Sequence, residues 1–333
     1  MTSSSFRSKA ATKVKGWRTI ATAAMICVIS LCGCSKNPSG AESYETGTHK
    51  RELDLRVLGF HRSYLIHVPK NFNRAEARPL VVALHGAFST AEEMEQETGL
   101  SDLADREGFL VVYPNGITLF GWFQHWNAGH CCGRAMKDGV DDVGFISKVI
   151  EEVHRDFRVD PLRIYMVGYS NGGMLAYLFA AQKPETLAAV AVIGATVGSS
   201  SSSSEPEVRI PPARAPVPVI AVHGREDDSI PYEGGSHTKN GHSYVPVKES
   251  MEFWLKANRI ATVPQREMMM AGRVVKDTWG APGSDQEVIL YTLEGWKHTI
   301  PTTYFTNKLP EGDPLKDFDA TEIIWDFFKS HHR

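Results

Sequence analysis

Cysteine is scarce and unevenly placed. Of five in 333 residues, Cys27, Cys32 and Cys34 lie near the N-terminus, and only Cys131 and Cys132 occur in the rest. Neither sign of charge dominates: 36 Lys and Arg stand against 39 Asp and Glu, a net charge of −3. With no basic stripe interleaved with aromatics, nothing calls for nucleic acid or an anionic membrane surface as a partner. The charge-free run Ile20 to Cys32 is shorter than the roughly 20 residues that cross a bilayer, which favours a secretory signal over a permanent transmembrane helix. No internal repeat of solenoid length is visible. At 42% apolar and 23% charged residues, the chain has the composition of a soluble globular protein, long enough for one large α/β domain or two ordinary ones.

The N-terminal run has a different use. Arg7, Lys9, Lys13, Lys15 and Arg18 precede it, the charge pattern of an export signal. It ends in Leu31-Cys32-Gly33-Cys34, which resembles a bacterial lipobox with Cys34 as the acylated residue. The competing reading is ordinary signal cleavage nearby. Residues 1–34 are thus expected to be a signal with lipobox, 35–52 a flexible polar tether, and 53–333 the catalytic domain. The expected location is extracytoplasmic, held to a membrane only through the N-terminal lipid.

Alternating residues in Leu53 to Val57 and Arg62 to Val68 predict an antiparallel pair at a sheet edge. Leu80 to Leu84, a helix over about Ala91 to Arg106, and Phe109 to Tyr113 then read as a βαβ unit of a parallel sheet. The segment from Asn115 to Gly139 is long, glycine-rich and aromatic, and its Trp122 and Trp126 are expected in a substrate pocket wall. Asp141 or Asp142 caps a helix from about Val143 to Phe157. A strand over Arg163 to Val167 runs into Gly168-Tyr169-Ser170-Asn171-Gly172, a G-x-S-x-G read as a nucleophile elbow with Ser170 exposed at the turn. Beyond it come strands at Ala189 to Ile193 and Val219 to Val222, with an exposed low-complexity loop predicted for Ser199 to Ser204. A helix over Val247 to Ala257, a last strand over Gln286 to Leu293 and a closing helix over Thr321 to Lys329 complete the chain.

Strands alternating with helices around a serine elbow fit an α/β-hydrolase, a mostly parallel sheet with helices on both faces. Its triad follows the order Ser, acid, His. Asp227 and Asp228 follow one strand and His298 follows the last, so the order is satisfied by Ser170, one of the two aspartates and His298. The histidine would take and return the serine proton, and the carboxylate would hold its tautomer. The backbone N–H groups of Ala87 and Asn171 are the expected oxyanion donors. His85 and His223, each before a glycine at a strand end, read as loop anchors. His125, His130, Cys131 and Cys132 crowd one loop without the paired spacing of zinc sites, so no metal is expected. Cys131 and Cys132 have two readings, free thiols or a vicinal disulfide shaping the aromatic loop; export favours the bridge and the short Cα separation opposes it.

The motifs now combine. Trp126-Asn127-Ala128-Gly129 with Cys131-Cys132-Gly133, Gly139-Val140-Asp141-Asp142-Val143-Gly144-Phe145, Val159-Asp160-Pro161, the elbow, His223-Gly224 with Asp227, and Pro231-Tyr232-Glu233-Gly234-Gly235 resemble the secreted polyhydroxybutyrate-depolymerase-like esterases, kin of feruloyl and acetylxylan esterases. The resemblance covers most of the chain from about Leu53 and implies Asp227 as the triad acid. It also implies an acyl-enzyme esterase needing no cofactor. The chain departs from it in two places: Ala87-Phe88-Ser89 stands where relatives are glycine-rich, and Gly295-Trp296-Lys297-His298 replaces their Gly-Gly-His. The expected substrate is a feruloyl or acetyl ester carried on plant polysaccharide. Depolymerisation of polyhydroxybutyrate or its oligomers is the alternative within the class, and a non-catalytic polysaccharide-binding surface lipoprotein the rival outside it. A peptidase of the same fold is a third.

Overall fold

A computed structural model describes residues 45–57, 59–117, 123–202, 204–236 and 241–333. The expected export signal, Cys34 and Trp122 lie outside the described residues. The first half of the fold runs β1 (Gly47–Val57), β2 (Phe60–Val68), β3 (Arg78–Leu84), α1 (Ala91–Thr98), α2 (Leu100–Glu107), β4 (Leu110–Pro114), α3 (Gly133–Lys137), α4 (Asp142–Asp156), β5 (Val159–Tyr169) and α5 (Asn171–Gln182). The second half runs β6 (Ala189–Ile193), β7 (Gly198–Ser200), β8 (Val208–Arg209), β9 (Val219–Gly224), β10 (Gly235–Ser236), β11 (Ser243–Tyr244), α6 (Val247–Ala257), β12 (Gln265–Met269), β13 (Val274–Trp279), β14 (Val288–Leu293), α7 (Thr303–Thr306) and α8 (Ala320–Lys329).

Ten strands form one sheet in the order β1-β2-β4-β3-β5-β6-β9-β14-β13-β12. The six from β4 to β14 are parallel, and an antiparallel pair closes each edge. Alternation along each central strand divides the core. Leu80, Val82 and Leu84 of β3 face α4, α5 and α6, whereas Val81 and Ala83 face α1, α2 and α8. Both faces of these strands are therefore covered, which is why they read as unbroken apolar runs. This is the α/β-hydrolase architecture.

Four local expectations change. Strand β1 begins at Gly47, inside the expected tether, and pairs in register from Gly47 opposite Val68. Its sheet-facing side carries His49 and Arg51 before Leu53, so no apolar alternation marks it; Arg51 lies over the Phe157 ring and bonds Asp156. The helix expected from Ala91 to Arg106 is two helices, because Gly99 adopts φ 63 and donates its N–H to Glu95, ending α1. The serine run is not wholly an exposed loop: Ser199 and Ser200 are buried in β7, the centre of a small sheet ordered β10-β11-β7-β8. Finally, β12 and β13 form an antiparallel edge before β14, and β12 is too exposed to carry an apolar signal.

Candidate active site

The elbow is built as its spelling predicts. Ser170 has φ 53 and ψ −122, a conformation costly for a residue with a Cβ and held only because β5 and α5 fix both ends. The flanking glycines are sterically required: a Cβ on Gly168 would lie 2.3 Å from the Gly172 carbonyl oxygen, and one on Gly172 would lie 2.4 Å from the carbonyl oxygens of His85 and Leu84.

Ser170, Asp227 and His298 meet at the carboxyl ends of the parallel strands. His298 Nε2 lies 2.9 Å from Ser170 Oγ, and His298 Nδ1 lies 2.7 Å from Asp227 Oδ2. A carboxylate only accepts, so Nδ1 carries the proton and Nε2 is free to take one from the serine. Asp227 is itself fixed, its Oδ1 accepting N–H bonds from Ser229 at 2.9 Å and Ile230 at 2.7 Å. Burial pushes its carboxyl up, but the hydrogen bond with His298, the charges of His298 and His223 and the Ile230 N–H outweigh burial and hold it below the usual carboxylate range. Asp228 has no bond to His298. Tyr169 completes the setting by donating its hydroxyl to the His298 carbonyl oxygen at 2.8 Å.

The loops around the triad are tied by groups that sequence reasoning used only in part. The Asn171 side chain clamps the Trp126 peptide: Oδ1 accepts from Trp126 N at 2.7 Å and Nδ2 donates to Trp126 O at 3.1 Å. Trp126 is not a pocket wall. It is fully buried and donates its indole N–H to the His85 carbonyl oxygen, because its ring fills the space behind the elbow. Asn127 N donates to Asp142 Oδ2, and Asp142 Oδ1 pairs with Arg62 in a buried ion pair, so α4 and β2 jointly hold the same loop. Asp141 is the cap of α4. Ala87 and Asn171 both line the cavity at Ser170, and neither backbone N–H has a partner among the described residues. Phe88 takes φ 66, a conformation that favours glycine, and donates its N–H to Gln124 O.

The cavity has a volume of about 320 Å3. Cys131 and Cys132, with their sulfurs adjacent, form part of its wall. Met174 reaches it from the first turn of α5, whereas Ile230 and Tyr244 come to it from distant parts of the chain that no local pattern marks in the sequence. Among the described residues no cluster of His, Cys, Asp and Glu could hold a metal.

His85 and His223 are loop anchors. His85 Nδ1 bonds Gly86 O at 2.7 Å while Nε2 accepts from Gly116 N, and His223 Nε2 bonds Ile230 O. His130 is also buried, with Nδ1 3.0 Å from Ser199 Oγ. Burial lowers both His85 and His130 from 6.5 to about 4. In the unfolded chain these rings protonate first, so the stability they confer is complete above about pH 6.5 and is lost as pH falls toward 4. Urea titrations should show a fall of about 1.4 kcal/mol per pH unit for each ring through that window, and His130→Gln should flatten the slope by one ring's share.

The family profile described as "Esterase PHB depolymerase" matches residues 62–228. The chain belongs to that esterase family. Membership makes it a carboxylic ester hydrolase, and the α/β-hydrolase sheet is the scaffold expected of one. A putative esterase, NocK, of Nocardia uniformis subsp. tsuyamanensis is 29% identical over 263 residues, 74% of this chain and 73% of that protein. Feruloyl esterase B of Piromyces equi is 28% identical over 209 residues, 62% of this chain but only 37% of that protein. The solved acetyl xylan esterase from Aspergillus awamori superposes with a TM-score of 0.59 at 16% identity, covering 85% of this chain and 99% of that one, a likeness of fold.

Proposed function

We propose that Ser170 is the nucleophile of a two-step ester hydrolysis, with His298 as general base and acid, Asp227 as the group that orients and stabilises its imidazolium, and the N–H groups of Ala87 and Asn171 as the oxyanion hole. The observation that carries this reading is the continuous chain from Ser170 Oγ through His298 to Asp227, at 2.9 and 2.7 Å, opening on a cavity. Ser170 Oγ attacks the ester carbonyl as His298 Nε2 takes its proton. Charge on the carbonyl oxygen is met by the two N–H groups, and the tetrahedral adduct collapses as His298 returns the proton to the departing alcohol. Water, activated by the same imidazole, then releases the acid and regenerates Ser170.

For the substrate we infer a feruloyl-type ester linked to plant polysaccharide. A cavity of about 320 Å3 falls within the roughly 300–1,000 Å3 of small-molecule sites and is generous for an acetyl group. Relatives named for feruloyl and acetyl xylan esters support the class, and the relative named poly(3-hydroxyalkanoate) depolymerase C, from Paucimonas lemoignei, keeps a polyester as the alternative. We also propose that residues 1–34 direct export and that Cys34 carries a lipid, placing the domain outside the cytoplasm. Vicinal bridging of Cys131 and Cys132 is the matching proposal for an oxidising compartment.

The test is a side-by-side assay on methyl ferulate, acetylated xylan and short hydroxybutyrate oligomers. Methyl ferulate is expected to have the highest kcat/KM. Higher values on the oligomers would move the reading to the polyester, and background hydrolysis on all three, equal to that of Ser170→Ala, would favour a binding protein.

A further inference from the structure

His125 belongs neither to the triad nor to its supports, yet it lines the cavity with Phe88, Cys132 and Gly133. Its ring is held from two sides. Nδ1 lies 2.8 Å from the Phe123 carbonyl oxygen, and the Phe88 ring meets it edge to face with centroids 4.6 Å apart. Because a carbonyl oxygen only accepts, Nδ1 carries the proton. The neutral ring then presents an unprotonated Nε2, a pure acceptor. Burial lowers the pKa of this histidine, against the opposing effect of the Phe123 carbonyl, which favours that neutral form.

Nε2 has no partner among the described residues. His85 and His298, by contrast, spend both ring nitrogens inside the protein. The same edge of the His125 ring is kept uncovered by a glycine: a Cβ on Gly133 would lie 3.2 Å from Nε2 and 2.8 Å from Cδ2. An acceptor fixed in orientation, without a donor among the described residues, in the wall of a largely apolar cavity calls for a donor on the molecule that fills the cavity. The acyl part is what remains bonded to Ser170 after the alcohol leaves, so it is the part that must fit there.

We propose that His125 is a specificity-determining residue whose Nε2 accepts a hydrogen bond from a hydroxyl on the acyl group of the substrate. This rests on the ester-hydrolysis reading above and adds to it a required substrate feature. Two kinds of acyl group carry such a donor, a hydroxylated aromatic ring and an aliphatic hydroxyacid. A site that reads a hydroxyl rejects the analogue lacking it, because its own polar group is left unpaired.

The test measures kcat/KM on two substrate pairs that differ only in that hydroxyl: methyl 4-hydroxycinnamate against methyl cinnamate, and p-nitrophenyl 3-hydroxybutyrate against p-nitrophenyl butyrate. Wild-type protein is expected to prefer the hydroxylated member of one pair by about tenfold or more, and the pair that responds identifies the acyl class. His125→Phe should bring the ratio near one, and His125→Gln, which keeps an acceptor, should restore part of it. Ratios near one for both pairs in the wild type would overturn the proposal without recourse to any variant. So would an unchanged ratio in folded His125→Phe. Hydrolysis of p-nitrophenyl acetate separates the two levels: turnover above the Ser170→Ala background with ratios near one overturns this inference alone, and turnover no higher than that background overturns the esterase reading with it.

Discussion

Ser170→Ala should lower kcat on p-nitrophenyl acetate by about 10^5- to 10^6-fold, with an unchanged circular dichroism spectrum. Among the described residues no other oxygen is placed to replace Ser170 Oγ at 2.9 Å from His298 Nε2. Because the hydroxyl and the imidazole act as one unit, adding His298→Ala to Ser170→Ala should cost almost nothing further. Asp227→Asn should cost about 10^4-fold, since an amide facing Nδ1 can donate as well as accept and no longer fixes the tautomer that leaves Nε2 unprotonated. Asp228→Asn is expected to stay within a few-fold of wild type. A larger loss at Asp228 than at Asp227 would refute the assignment of the acid. Steady-state kinetics, with circular dichroism and urea unfolding of each variant, distinguishes these outcomes from loss of folded protein.

The second large effect lies behind the site. Asp142→Ala is expected to destabilise the protein by about 3–5 kcal/mol, because it strands the Arg62 guanidinium in the core. Arg62 is only 2% exposed and lies 3.7 Å over the Phe145 ring, so water cannot replace the lost carboxylate. Burial raises the Asp142 carboxyl and lowers the Arg62 guanidinium despite their mutual attraction; both shifts run against the charged forms. Arg62→Met with Asp142→Leu should therefore recover most of the stability while leaving Asn127 N without its acceptor. Urea denaturation of the single and double variants measures the stability. Activity of the double variant reports whether the ion pair also positions the Trp126 loop: recovered stability with normal kcat would show that it does not.

Much of this was legible because the chemistry is local in sequence. The parallel strands bury both faces and so appear as unbroken runs such as Leu80 to Leu84. The glycines at 168 and 172 have no room for a Cβ, which leaves a spelling recognisable without coordinates. The first half of strand β1, before Leu53, carries no apolar signal because its sheet-facing residues there are polar and are satisfied by distant partners, Arg51 by Asp156. Trp126 was misplaced because an indole serves a core as well as a pocket, and its depth depends on Asn171 and His85, 45 and 41 residues away.

The sequence by itself determined the strand-helix alternation, the elbow and the order of the three triad-type residues, since each is written in the spacing of a few neighbours. Tertiary structure alone decided which aspartate faces His298, which aromatics reach the cavity and where His125 Nε2 is left open. Those outcomes depend on packing between segments brought together by the sheet, and sequence separation does not encode such distances.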